Sequence, residues 1–302
     1  MIQINKLHTF SGHRDAVYTI TPGRVPQEFF SGAGDGMVVQ WDLSKPDEGQ
    51  LLANLPTSVY ALQVVTDQNL LVVGQNYQGI HVIDLQTKQE VGSLKLTDAA
   101  IFDLKMIGDL IWVACGDGAI YQVHLPTLTL QHKMQYAEKS VRTLALDQDH
   151  QQVIAGYSDH QIRVLDMKSG SLLQEVEAHK NSVFSLCKHP KLPLMLSGSR
   201  DAHLKIWHMH QKFDLKESVV AHMYAINHIE FSPSGQHFVT CSMDKSIKVW
   251  SSDDFKLLKV IDKARYASHG TSVNKLYWSE YEHQLVSCSD DRTISIWDIN
   301  FN

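Results

Sequence analysis

Cysteine is scarce in this sequence, and its spacing makes no pairs. Four residues, Cys115, Cys187, Cys241 and Cys288, are scattered over 302 positions, without the close doublets of a zinc site or the density of a disulfide framework. Long apolar runs are missing as well. Only 43% of residues are hydrophobic, and no uncharged apolar stretch approaches the ~18 residues that a membrane-spanning helix needs. The opening MIQINKLHTF has neither a basic n-region nor an apolar h-region, so no signal peptide is read. These features fit a reduced, cytoplasmic protein with no membrane partner.

A basic surplus is also absent. The net charge is −6 and the pI about 6.3, which argues against a nucleic-acid partner, since such domains usually carry excess Lys and Arg. The charge is uneven, with 8 Lys/Arg and 13 Asp/Glu in residues 1–135 against 19 and 20 in the remainder. No glycine-rich phosphate loop precedes a helix, and no cofactor is expected.

What the sequence does contain is a repeat. Segments ending GAGDGMVVQWDL, SRDAHLKIWHM, CSMDKSIKVWS and SDDRTISIWDI align on the residue before the final turn. The anchors are Trp41, Ile83, Val123, Leu165, Trp207, Trp250 and Trp297, spaced by 42, 40, 42, 42, 43 and 47 residues. A second landmark, the apolar residue opening an earlier alternating run, falls at Val17, Val59, Ile101, Val141, Val183, Ile226 and Val273. It precedes its anchor by 24 residues in six units and by 22 in the third. Seven copies fill residues 1–302 as a single domain.

Within a unit, short alternating runs are separated by turn residues. In the sixth, INHIEF, HFVTCS, SIKVW and FKLLKVI read as strands, with SPSGQ and MDK as turns. Asp35–Gly36 and Asp117–Gly118 suit the positive-φ positions of tight hairpins. Four antiparallel strands repeated seven times predict an all-β fold, a seven-bladed β-propeller. The chain resembles the WD-repeat family over essentially its whole length. Trp-Asp closes the first and last units at Trp41–Asp42 and Trp297–Asp298, and the Gly-His element stands at Gly12–His13, softened to Ala178–His179, Ala221–His222 and Ser268–His269. Units two to four lack that histidine.

The last unit ends at ISIWDINFN without a fourth strand, while the chain begins with an orphan one, IQINKLHTF. An unpaired edge invites wrong pairing. Residues 2–9 are therefore expected to become the outer strand of the seventh blade, beside the strand around Trp297.

Four units hold a His, a hydroxyl, an Asp and a Trp at fixed offsets: His13/Ser31/Asp35/Trp41, His179/Ser197/Asp201/Trp207, His222/Thr240/Asp244/Trp250 and His269/Ser287/Asp291/Trp297. These types could make a catalytic triad. A triad is needed once, however, and this set recurs in register with the fold, so it reads as a structural hydrogen-bonded network. The family resemblance implies the same tetrad. His208 and His210, with His203 nearby, flank a polar turn and have no third ligand fixed by spacing, so they read as solvent-exposed and no metal is expected. Cys241 and Cys288 occupy equivalent second-strand places and read as buried small hydrophobes.

Function has to be argued from a site. The resemblance nominates the residue after each opening Val or Ile as lining the channel mouth: Tyr18, Tyr60, Phe102, Arg142, Phe184, Asn227 and Asn274. Aromatics and arginine are enriched at interfaces. A second ring precedes each turn Asp at Gly34, Gly116, Ser158, Arg200, Met243 and Asp290, with Asn76 in the unit whose Asp is replaced by Tyr77. Arg200, Met243 and Asp290 are expected to project into a partner. The connection from Trp250 to Val273 is 23 residues against 18 or 19 elsewhere, and the excess in loop 261–271 makes Arg265 and Tyr266 candidates. The resulting expectation is a non-catalytic scaffold for a protein or peptide partner. Two alternatives are a propeller enzyme of the lactonase or hydrolase type, needing unpaired His, Asp or Glu at the mouth, and an architectural subunit with contacts on blade edges.

Overall fold

In the sixth unit the alternating runs form strands over Ile226–Phe231, His237–Ser242, Ile247–Ser251 and Leu257–Ile261. The computed structural model describes residues 2–46, 48–209 and 213–301 and repeats this sheet seven times, each of four antiparallel strands. The protein is an all-β, seven-bladed propeller. Burial follows strand order. The second strands Glu28–Ala33, Leu194–Ser199 and Leu285–Ser289 are buried at every position, because both faces meet neighbouring blades. The outer strand Thr129–Gln135 exposes everything but Met134.

The constant spacing has a packing cause. A Cβ added to Gly32, Gly74, Gly156 or Gly198 would lie 2.6–2.8 Å from the opening Val59, Ile101, Val183 or Ile226 of the next blade. Each second strand thus carries a notch that takes the β-branched wedge of its neighbour. Ala114, Cys241 and Cys288 hold the equivalent places, packed in the same clusters as Val141, Val273 and Val17 respectively. The two cysteines are indeed buried hydrophobes.

The ring closes through its ends. Strand Ile2–Phe10 pairs antiparallel with Ile294–Phe301, placing Lys6 opposite Trp297 and Ile2 opposite Phe301. Phe10 packs 5.4 Å from the Trp41 ring, tying blade seven to blade one. The turn glycines behave as their Asp-Gly context requires, with φ of 75° at Gly36 and 83° at Gly118. In blade two the positive φ moves one place earlier, to Tyr77 at 66°.

Candidate functional site

The four tetrads are formed. Each His Nδ1 lies 2.9–3.3 Å from its turn aspartate. Each Nε2 lies 2.7–2.9 Å from a hydroxyl, that of Ser31, Ser197, Thr240 or Ser287. The Trp indole donates to that same hydroxyl at 2.8–2.9 Å. Ser31, Ser197, Thr240 and Ser287 are all 0% exposed, because they sit on second strands covered on both faces. These four hydroxyls are interior residues of the tetrads. No partner or substrate reaches them, and none of the hydroxyls is available as a nucleophile.

Blades two to four use other chemistry for the same task. Tyr121 and Thr97 donate to Asp117 in blade three. Buried Arg163 lies 2.8 Å from Asp159 and 2.6 Å from Glu175 in blade four, and His81 Nε2 is 2.6 Å from Gln75 Oε1 in blade two. These groups sit inside blades, away from the axis.

The axis carries a different feature. In every innermost strand the register slips between the opening residue and the one two places on: Val17/Thr19, Val59/Ala61, Ile101/Asp103, Val141/Thr143, Val183/Ser185, Ile226/His228 and Val273/Lys275. The residue between is left out of the ladder, and such a bulge re-aims its side chain. The seven bulged residues are Tyr18, Tyr60, Phe102, Arg142, Phe184, Asn227 and Asn274. All seven are half-buried and line one cavity of about 490 Å³. Because it draws on all seven blades, the cavity lies on the propeller axis, beside the loops that carry the tetrad histidines.

Its wall is a continuous aromatic arc. Tyr18 meets Tyr60 edge-on at 4.5 Å, and Tyr60 stacks on Phe102 at 5.9 Å. The Arg142 guanidinium lies 3.7 Å from the Phe102 ring centre and 4.7 Å from that of Phe184. Burial pushes the Tyr18 phenol up to about 12, helped by Tyr60, Asp15 and Asp290. Burial brings Arg142 down to about 10, with Arg200 adding to the drop and Tyr60 opposing it. Arg142 stays cationic at neutral pH.

Five segments, residues 4–42, 126–166, 170–208, 214–251 and 262–298, match the family described as WD domain, G-beta repeat, and together they cover more than half of the chain. The chain belongs to the WD-repeat family. Four of the matched segments begin within or just before the outer strand of one blade and end in the third strand of the next, so the WD repeat is staggered by one strand against the blade. The gap at 43–125 takes in blade two and the first three strands of blade three, two blades that lack a tetrad. Among curated proteins the chain is 22% identical over 266 residues to the Striatin homolog of Dictyostelium discoideum, covering 82% of this chain and 29% of that protein. It is 23% identical over 257 residues to Protein groucho of Drosophila melanogaster, covering 82% and 34%. This WD-repeat chain therefore spans about a third of the length of those relatives. The crystal structure of the WD40 beta propeller domain of Doa1 superposes with a TM-score of 0.87 at 16% identity, over 99% of this chain and 97% of that one, a likeness of fold.

The second ring of this WD propeller is mixed. Arg200, Met243 and Asp290 are exposed, whereas Gly34, Gly116 and Ser158 are half-buried. Asn76 does not face a partner: it is 1% exposed and its Oδ1 accepts from the Ile101 amide of the next blade. The shifted turn puts Tyr77 there instead, 56% exposed and lining the cavity. The inserted loop forms a one-turn helix, Lys263–Tyr266, capped by Asp262. Arg265 is exposed but held by the Asp262 carboxylate at 2.6 Å. Tyr266 packs against the core between blades six and seven, and Lys6 of the closing strand donates to the Ala267 carbonyl. The loop braces the seam, and neither candidate lines the cavity.

Other features escaped the sequence reading. Met223, 82% exposed, and Tyr224 lie beside Met243 on the blade-six rim, where the Met243 amide bonds to the Ala225 carbonyl. Deeper in the channel, Asp103, Lys105, His228 and Lys275 line the cavity floor, with Lys105 3.4 Å from Asp103. Glu230, pushed up to about 7 by burial, and His228, held down by burial and by Lys275 and Lys105, belong to this cluster. Alternation of the strand past the bulge is the signal that could have found them. His203 is not simply exposed, since its Nδ1 lies 2.9 Å from the Asp201 carbonyl oxygen, and His208 is half-buried. His210 lies outside the described residues. Among the described residues no three His, Cys, Asp or Glu side chains group as metal ligands, and no helix is long and apolar enough to cross a membrane.

Proposed function

We propose that the chain is a non-catalytic, cytoplasmic interaction scaffold that takes a protein or peptide segment at the channel mouth. The observation that carries this reading is the convergence of seven bulged side chains, four of them aromatic, on one open cavity. Around the rim, Tyr77, Met223, Tyr224 and Met243 expose apolar surface on the same face, and Arg200 and Asp290 add charge beside it. Tyr, Met and Arg are the residue types that interfaces favour. The deeper carboxylate Asp103 is engaged by the Leu104 and Leu144 amides, which supports a positioning role over acid–base chemistry. Affinity capture should compare the native protein with a Tyr60→Ala/Phe184→Ala/Arg200→Glu variant that melts normally. The variant is expected to lose specific partners, and identical partner lists would sink the chosen face.

A further inference from the structure

The mouth already contains the cation that an aromatic cage would otherwise recruit. Arg142 lies between Phe102 and Phe184, where stacking satisfies the flat faces of the guanidinium. Its N–H edge is another matter. Among the described residues the guanidinium stacks on two rings and pairs with no carboxylate, and with Arg142 only half-buried that edge stays open to a partner in the mouth.

The carboxylates nearby are engaged elsewhere and none pairs with Arg142. Asp103 accepts from the Leu104 and Leu144 amides at 2.9 and 2.8 Å and from Thr143 at 3.5 Å. Asp290 accepts from Asn274 at 2.8 Å, and Asp15 from the Ala16 amide at 2.7 Å. Arg200, close enough to act on Arg142, adds a second positive charge. Arg142 and Arg200 thus put two positive charges on the blade-four and blade-five side of the mouth, while Asp15 and Asp290 act on Tyr18 from the other. A guanidinium fork with free N–H groups is shaped for two-point contact with a carboxylate.

We propose that the docked segment is acidic, with one Asp or Glu side chain pairing with the Arg142 guanidinium beside Arg200. The inference rests on the docking function above and names the partner's chemistry. The preformed Arg142 also excludes a partner Lys or Arg from the same cage, through like charge and occupied space.

Selecting a phage-displayed random peptide library on the immobilised native protein tests this. Asp or Glu is expected to dominate one position of the selected peptides. Replacing that acid with its amide, or Arg142→Met in the protein, should each weaken binding about tenfold or more. The two changes together should lose little beyond either alone, and Arg142→Lys should keep part of the affinity. Melting curves verify that both variants fold. Binders that Tyr60→Ala weakens but that ignore Arg142→Met, or that carry no acidic position, overturn the charge assignment and leave the docking site standing. Binders indifferent to both substitutions, or a library without enrichment, overturn the docking site as well. A peptide that binds only when phosphorylated overturns the carboxylate assignment.

Discussion

Each tetrad is a directed proton chain. The indole N–H of Trp207 donates to Ser197, whose hydroxyl donates to His179 Nε2, while Nδ1–H donates to Asp201. With the hydroxyl donating to Nε2 the imidazole is neutral, the form that burial favours. Burial accordingly holds His13, His179 and His222 below their ordinary 6.5, outweighing the pull of Asp35, Asp201 and Asp244. Since the folded values are depressed, the stability they contribute is complete above 6.5 and is lost as pH falls through the folded values. Asp201, Asp244 and Asp291 add a second loss at lower pH. Burial opposes ionisation there, but bonds from the tetrad histidines hold all three below 3.8. The urea midpoint should therefore begin to fall as pH drops below about 6.5, and fall again below about pH 4. His222→Gln should flatten the first slope. A midpoint constant over the upper range would contradict the neutral tautomer.

The strand pair at each blade boundary explains why the repeat was so easy to see. An opening Val or Ile seats in a Gly, Ala or Cys notch of the preceding blade, so neither landmark can drift without opening a gap or a clash. Gly198→Ala places a methyl 2.6 Å from Ile226 Cγ2 and should cost about 1–3 kcal/mol. Cys241→Ala should cost less, because Ala114 already fills the equivalent place. Equal chemical denaturation midpoints for the two variants would refute the notch. Strand order, blade number and the tetrads were legible because each is periodic. The mouth ring came from family resemblance, and its cause, the bulge, was invisible because register belongs to strand pairs and not to one run of letters. Asn76 was misplaced because a one-residue shift of positive φ onto Tyr77 leaves no mark in composition. Met223 and Tyr224 sit in a loop, where no alternation marks exposure. Tyr266 was read from loop length alone, which cannot distinguish a contact loop from a brace.

For the molecule as a whole, stability depends on a seam joining residues far apart in sequence. Strand Ile2–Phe10 contributes Ile4 to the core cluster of blades six and seven, and Phe10 to that of blades seven and one. Removing residues 2–10 should lower the melting temperature by about 10 °C or more, or cause aggregation. Thermal scans at two protein concentrations separate those outcomes, and an unchanged cooperative transition would mean the seam is dispensable. The stagger between WD repeat and blade has the same origin: every blade borrows an outer strand from the next repeat, and the last borrows from the first.

That borrowing sets a schedule for synthesis. Lys6 meets Trp297, so strand Ile2–Phe10 must wait for the last blade. At about 5–20 residues per second the wait is roughly 15–60 s. Throughout it Ile4, Phe10 and an unpaired strand edge are open to any other nascent chain on the same message. Neighbouring ribosomes thus offer the nearest wrong partner: another copy's seventh blade, and with it a ring closed between two molecules instead of one.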